Sequence, residues 1–249
     1  MKRVLITAGA SGIGLAMAQG FAAGGARVWV SDVDEAALAA LPAGLRSSAV
    51  SVTDEIAMTH LAAEIAAEWG GLDVVCVNAG VKGPTSLIVD TDLAAWRECL
   101  GVCLDGAFLT VKHMAPLMKA GGGAMIFTSS TAGLYGFPYR SPYAAAKWAI
   151  IGLMKTAAME LGAHGIRCNA IAPGSVEGPR IERVFAAEAA AKGKTRDQIH
   201  DGYAAGTALG CLVTAQDVAD MAVFLASAPR ISGQVIAVDG FTINPEPKV

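Results

Sequence analysis

The chain is poor in charge. Asp, Glu, Lys and Arg make up only 16% of its 249 residues, the net charge is −3, and the basic residues are scattered. That excludes the clustered cationic footprint of a nucleic-acid binder. Long apolar runs are also missing. Mean hydropathy is high at +0.47, yet no run approaches the roughly 18 residues of a membrane span, so the apolar content is assigned to core and subunit interface. Lys2 and Arg3 followed by VLITAGA look like the start of a secretory signal, but the apolar run stops at Gly9 and a glycine-rich motif follows, so a cytoplasmic protein is expected. The five cysteines include no Cys-x-x-Cys pair, which fits reduced thiols rather than a disulfide framework. Cys99 and Cys103 share a helical face, but no nearby histidine completes a metal set, so no metal is expected. No Pro- or Ser-rich linker divides the chain, and its length suits one domain over residues 1–249.

What is present is an alternation of strands and helices. Residues 3–7 read as a short apolar strand that runs into Ala8-Gly9-Ala10-Ser11-Gly12-Ile13-Gly14 and then a helix through about residue 23. Glycines there let the backbone turn tightly and approach a pyrophosphate, whose charge meets free N–H groups and the positive helix end. A second strand, residues 27–31, ends at Asp32, where a carboxylate would accept hydrogen bonds from an adenosine ribose. The other reading of Asp32 is a cap for a helix at 35–41, a role equally open to Asp34. A 2′-phosphate would face a like charge at Asp32, and no Lys or Arg stands at Ser11 or Val33 to offset it, so NAD is favoured over NADP.

A strand at 46–52, a helix at 54–69 and a strand at 72–77 follow, the last running into Asn78-Ala79-Gly80, either a ligand-facing strand end or a plain turn. Residues 91–119 read as one long helical stretch capped by Thr91 or Asp92. Further strands are expected at 124–130, at 167–172 (before Pro173-Gly174) and at 234–238, with a helix at 214–226 opened by Thr214 and Asp217 as a capping box. This rhythm predicts a parallel α/β sheet. Residues 178–212 depart from it, with small residues and two short helical segments (181–192 and 195–204), and are the expected substrate-binding lid. The tail, 241–249, carries two prolines and is expected to pack on a neighbouring subunit.

The chemistry is expected in residues 127–155. Pro142 suits the first turn of a helix that places Tyr143 and Lys147 four residues apart on one face. An ammonium within about 4 to 6 Å lowers an acid's pKa by roughly 1 to 3 units, enough to bring a phenol toward use as an acid/base. Ser130, at the end of a buried strand, is a candidate donor to a substrate oxygen. Tyr135 and Tyr139 are rival phenols without a basic residue four positions on, and a Tyr-x-x-x-Lys spacing alone is a common helical accident. Lys82, Arg140 and Arg180 surround the expected substrate mouth and point to a small polar or anionic hydroxy compound, such as a hydroxy acid or sugar derivative; solvated surface cations are the alternative.

Taken together, residues 7–14, Asp32, Asn78-Ala79-Gly80, Ser130, the Tyr143/Lys147 pair, Pro173-Gly174 and Val238-Asp239-Gly240 resemble the classical short-chain dehydrogenase/reductase family along nearly the whole chain. The resemblance implies a single-domain, Rossmann-type, doubly wound sheet of about seven parallel strands with helices on both faces. It implies bound NAD and reversible hydride transfer between nicotinamide and a secondary alcohol or ketone. By position, Tyr143 would be the general acid/base, Ser130 would hold the substrate oxygen, and Lys147 would bind the nicotinamide ribose. The cofactor would be held by Gly9, Ser11, Gly12, Ile13, Gly14, Asp32, Val52, Asn78, Ala79, Gly80, Tyr143, Lys147, Pro173, Gly174 and Val176. It also implies a homo-oligomer, a tetramer rather than a dimer, joined through the helices at 91–119 and 143–161. The chain departs from the family at Ala8 (usually Gly, a modest change if φ there is negative), Ser51 (usually acidic), Gly178 (usually Thr) and Cys103 (usually the Asn of a water relay to the lysine). Cys103 gives some weight to an alternative, an NAD-binding protein of regulatory or structural role without turnover.

Overall fold

The computed structural model describes residues 1–244, without the side chains of residues 180, 187, 188 and 191. Its elements run β1 (Arg3–Thr7), α1 (Gly12–Ala23), β2 (Arg27–Asp32), α2 (Glu35–Ala39), β3 (Arg46–Ala49), α3 (Glu55–Trp69), β4 (Val74–Val77), α4 (Leu93–Leu100), α5 (Gly106–Met114), β5 (Gly123–Thr128), α6 (Ser141–Leu161), β6 (Ile166–Pro173), α7 (Pro179–Lys192), α8 (Arg196–Ala205), α9 (Ala215–Ser227) and β7 (Val235–Val238). The strands form one seven-stranded sheet in the order β3-β2-β1-β4-β5-β6-β7, parallel throughout. β4 and β5 are almost wholly apolar and buried, as strands covered on both faces must be. One face packs on α3, α5 and α6 through Met58, Leu61, Met114, Ile150 and Met154. The other packs on α1 and α9 through Met17, Phe21, Val218 and Leu225.

The order matters for function. From β1 the chain winds outward through β2 and β3, then returns to the other side of β1 with β4. Where the winding reverses, the loops after β1 and β4 part and leave a crevice at the strands' carboxyl ends.

Helix starts follow the expected chemistry. Asp34, Asp54 and Asp92 each accept the backbone N–H three residues on, and Thr214 with Asp217 forms a capping box. Asp34, not Asp32, therefore caps α2. At the opposite end of the sheet, Arg3 forks onto Asp73 with N···O distances of 3.0 and 2.7 Å while its backbone N–H donates to the same carboxylate at 2.7 Å. The Arg3 side chain holds the Asp73 carboxyl below its ordinary range.

Two expectations need correction. The third strand stops at Ala49, because Val50 N–H is the last to reach β2, through Asp32 O at 2.9 Å. The long helix is not uniform: residues Gly101–Asp105 between α4 and α5 are π-helical. The start of the tail is bonded to its own chain. Thr242 bridges Thr207, and the N–H groups of Ile243 and Asn244 donate to Gly206 O; residues 245–249 lie outside the described residues.

Residues of the expected lid carry a small core of their own. Phe185, Ile199 and Leu212 are buried against Ile181, Tyr203 and Ala204, and a bridge between Val176 and Val213 ties the segment to the end of β6.

Candidate active site

The serine, tyrosine and lysine converge because three elements end together. β5 finishes at Thr128, and Ser129 and Ser130 carry the chain into a one-turn 3-10 helix, Thr131–Gly133, whose Ala132 N–H donates to Ser130 Oγ at 3.2 Å. That turn lies directly on α6: a Cβ built on Gly133 would come 2.6 Å from Lys147 O and 2.6 Å from Ser129 Oγ. Only glycine allows this approach. Ser129 Oγ then donates to Lys147 O at 2.9 Å, and Lys147 Nζ, 3% exposed, donates to Thr128 O at 2.8 Å. The same ammonium lies 5.5 Å from the centroid of the Tyr143 ring.

A polar chain continues from there to the glycine turn. Thr128 Oγ1 donates to Asn78 Oδ1 at 2.9 Å, and Asn78 Nδ2 donates to Thr7 O and Ala8 O, both at 3.1 Å. Thr7 Oγ1, fully buried, accepts the N–H groups of Asn78 (3.0 Å) and Ala79 (3.2 Å). The Asn78-Ala79-Gly80 stretch is thus a fixed shelf. Thr7, Thr128 and Ser129 fall within the motif and strand read from the sequence, but no role was assigned to their side chains; the signal was a hydroxyl at the end of an apolar strand in each case.

The glycine turn itself is tight. A Cβ on Gly14 would lie 2.2 Å from Ala8 O and 2.8 Å from Asn78 Nδ2. Ala8 adopts φ +50°, so the departure from glycine is not the modest change expected at negative φ; a left-handed alanine costs about 1–2 kcal/mol. Asp32 ties the turn down, taking Ala10 N–H at 3.0 Å on one oxygen and the N–H groups of Val33 and Asp34 on the other. A carboxylate has about four acceptor sites, so Asp32 keeps capacity for a ribose hydroxyl.

These parts face one cavity of about 570 Å³, lined by Ser11–Gly14, Asn78, Gly80, Ser130, Tyr143, Lys147, Pro173, Gly174 and Val176 among others. Gly9, Asp32, Val52, Ala79 and Lys82 are not on its wall. Gly9 is a packing glycine, with Val30 Cγ1 2.9 Å from where its Cβ would stand, and Val52 is core, pressed on Gly106. Lys82 is solvent-exposed. Arg140 is on the wall, its guanidinium carbon 5.3 Å from the Tyr143 ring centroid, whereas the side chain of Arg180 lies outside what is described. Arg183, which the sequence did not single out, lines the cavity from α7. The rival phenols do not: Tyr135 and Tyr139 are absent from this wall.

Beside the site, Cys103 sits in the π-helical segment and its Sγ donates to Val81 O at 3.5 Å. Cys99 contacts it, and that contact together with burial raises the Cys99 thiol above its ordinary pKa. Gly80 fits between Cys103 Sγ and Lys147 Nζ, 3.5 and 3.3 Å from its would-be Cβ. Gly178 has φ +133°, so a threonine there would be strained. Among the described residues, no group of three or more His, Cys, Asp or Glu is arranged to hold a metal, and no helix is long and apolar enough to cross a membrane.

Comparison with known proteins agrees with this geometry. The family described as Enoyl-(Acyl carrier protein) reductase matches residues 7–241. A cis-4-hydroxycyclohexanecarboxylate dehydrogenase of Sinomonas cyclohexanicum is 37% identical over 95% of this chain and 94% of its own. A (+)-borneol dehydrogenase 1 of Salvia officinalis is 37% identical over 98% of this chain and 95% of its own. The crystal structure of NAD+-bound xylitol dehydrogenase superposes with a TM-score of 0.91 at 25% identity, covering 96% of this chain and 98% of that one.

Proposed function

Because the chain belongs to the short-chain dehydrogenase/reductase family, we propose that it is an NAD-dependent dehydrogenase that interconverts a secondary alcohol and its ketone, acting on a small polar compound such as a hydroxy acid. One observation carries this reading: Ser130, Tyr143 and Lys147 share a cavity wall with the glycine turn.

The residues fit a dinucleotide. Ser11, Gly12 and Ile13 offer N–H groups at the start of α1 for a pyrophosphate, Asp32 has acceptor sites left for the adenosine ribose, and Pro173, Gly174 and Val176 border the far end. Asn78 and Gly80, between the glycine turn and the reactive residues in sequence, line the same cavity. When bound, the nicotinamide supplies the hydride chemistry. Tyr143 gives or takes the hydroxyl proton of the substrate, Ser130 holds the substrate oxygen by its Oγ, and Lys147 sets a positive charge near the phenol and reaches the nicotinamide ribose. The segment 178–212 closes over the substrate and excludes water.

Apolar side chains left exposed on α5 and α6, Phe108, Trp148 and Met159, support a homo-oligomer, which we propose is a cytoplasmic tetramer. NAD is favoured over NADP because Asp32 would repel a 2′-phosphate and the exposed neighbour Val33 brings no cation. Cys103 supports a second reading, a cofactor-binding protein without turnover. A panel of secondary alcohols assayed with NAD+ and NADP+ in parallel, followed at the absorbance of reduced nicotinamide, separates the two. Turnover with NAD+ that falls about 10²-fold or more in Tyr143→Phe is expected; turnover within a few-fold of the parent would remove Tyr143 from the chemistry.

A further inference from the structure

We propose that Arg140 anchors a carboxylate of the substrate, so that the preferred substrates are hydroxy acids and their keto acids rather than neutral alcohols; this rests on the dehydrogenase reading above. The first support is position. Arg140 lines the cavity with its guanidinium carbon 5.3 Å from the ring centroid of Tyr143, so a molecule whose hydroxyl meets the phenol has a cation within reach of its other end. Arg140 is partly buried, and a guanidinium away from bulk water binds a carboxylate through two parallel hydrogen bonds, more strongly than an exposed pair does.

The second support is strain. Tyr139 adopts φ +61°, a left-handed conformation that costs a bulky residue about 1–2 kcal/mol and marks functional sites more often than chance. It is held there by Ser86 N–H, which donates to Tyr139 O at 3.0 Å. One residue later Arg140 opens α6, its carbonyl accepting Ala144 N–H at 2.9 Å. The left-handed residue thus stands immediately before the one that opens the reactive helix and lines the cavity.

The third support is charge. Among the described residues, the charged ones on the wall are Arg140, Lys147, Glu177 and Arg183, a cationic excess in a protein whose net charge is −3. Lys147 donates to Thr128 O, and Arg183 stands exposed on α7. Arg140 and Lys147 both lie against the Tyr143 ring, at 5.3 and 5.5 Å from its centroid, and of the two only Arg140 carries the planar guanidinium that forks onto a carboxylate.

The test compares each acid with its own carboxamide, which keeps shape and hydroxyl but removes the charge. 4-Hydroxycyclohexanecarboxylate and 3-hydroxybutyrate, each against its amide, are assayed with NAD+ on the parent, Arg140→Leu, Arg140→Lys and Arg183→Leu, with thermal melts to confirm folding. In the parent, kcat/KM is expected to favour at least one acid over its amide by about 10- to 100-fold, the range of a charged hydrogen-bonded contact. Arg140→Leu should bring that ratio close to one, and Arg140→Lys should retain part of it. A parent that turns over acid and amide equally, or a ratio that falls in Arg183→Leu and not in Arg140→Leu, overturns the assignment. Absence of turnover of any secondary alcohol sinks the dehydrogenase reading and this inference with it.

Discussion

Replacing Thr7 by valine removes one hydroxyl from a fully buried position and changes the shape of the residue very little. That hydroxyl accepts the N–H groups of Asn78 and Ala79 at 3.0 and 3.2 Å and donates to Cys76 O at 3.3 Å. Valine leaves both N–H groups without this acceptor. A buried donor so orphaned costs about 1–3 kcal/mol, giving roughly 2–6 kcal/mol for the pair, while the added methyl returns no more than about 1 kcal/mol. Asn78 and Ala79 are only partly buried, so water relieves some of the loss. A net cost of about 2–4 kcal/mol is expected. Guanidinium unfolding of Thr7→Val should show a lower midpoint with an unchanged slope, and Thr7→Ser, which keeps the oxygen, should recover most of it. The shelf at residues 78–80 also loosens, so the Kd for NAD should rise in the valine variant. Unfolding of Thr7→Val within about 0.5 kcal/mol of the parent would refute the claim that this hydroxyl fixes the shelf.

Gly14→Ala should abolish NAD binding by isothermal calorimetry and lower the midpoint of unfolding, because its Cβ would sit 2.2 Å from Ala8 O; binding within a few-fold of the parent would contradict the tight turn. Ala8→Gly removes a φ of +50° and should stabilise the chain by up to about 1 kcal/mol, the strain relieved less the extra chain entropy of glycine. Cys103→Asn should leave activity near or above the parent level if the relay is altered but intact; a collapse would show that the thiol serves a different relay. Asp73→Asn should destabilise at neutral pH, with the gap closing in acid. The Asp73 carboxyl is depressed below 3.8, so its contribution is fully present above that value and is lost as pH falls through the folded-state pKa. A gap that persists unchanged at pH 2 would show that Arg3 gains nothing from the charge.

Much of this was legible in the sequence, for physical reasons that differ by element. β4 and β5 could be read because strands covered on both faces are continuously apolar, and α9 because Thr214 and Asp217 box its start. The Tyr143/Lys147 pair could be read because helical spacing puts residues four apart on one face. The π-helical segment could not, since Gly101–Asp105 differs from α-helix by one slipped hydrogen bond and carries no residue that demands it. The left-handed backbones of Ala8 and Tyr139 were hidden for the opposite reason: neither side chain favours that region, and tertiary contacts impose it. Asp32 had two readings, and only coordinates could give the cap to Asp34 and the glycine turn to Asp32.

The slipped register at Gly101–Asp105 has a consequence beyond Cys103. Up to residue 100 the helix leans on α6, and from residue 106 it also leans on α3. The wide turn takes up one residue more than an α-turn needs, so α5 continues the line of α4 with its sequence stepped on by one place. Excising a single residue there would therefore close the wide turn to ordinary α-helix and leave α5 seated, whereas the same deletion inside α5 would rotate every later residue by about 100°.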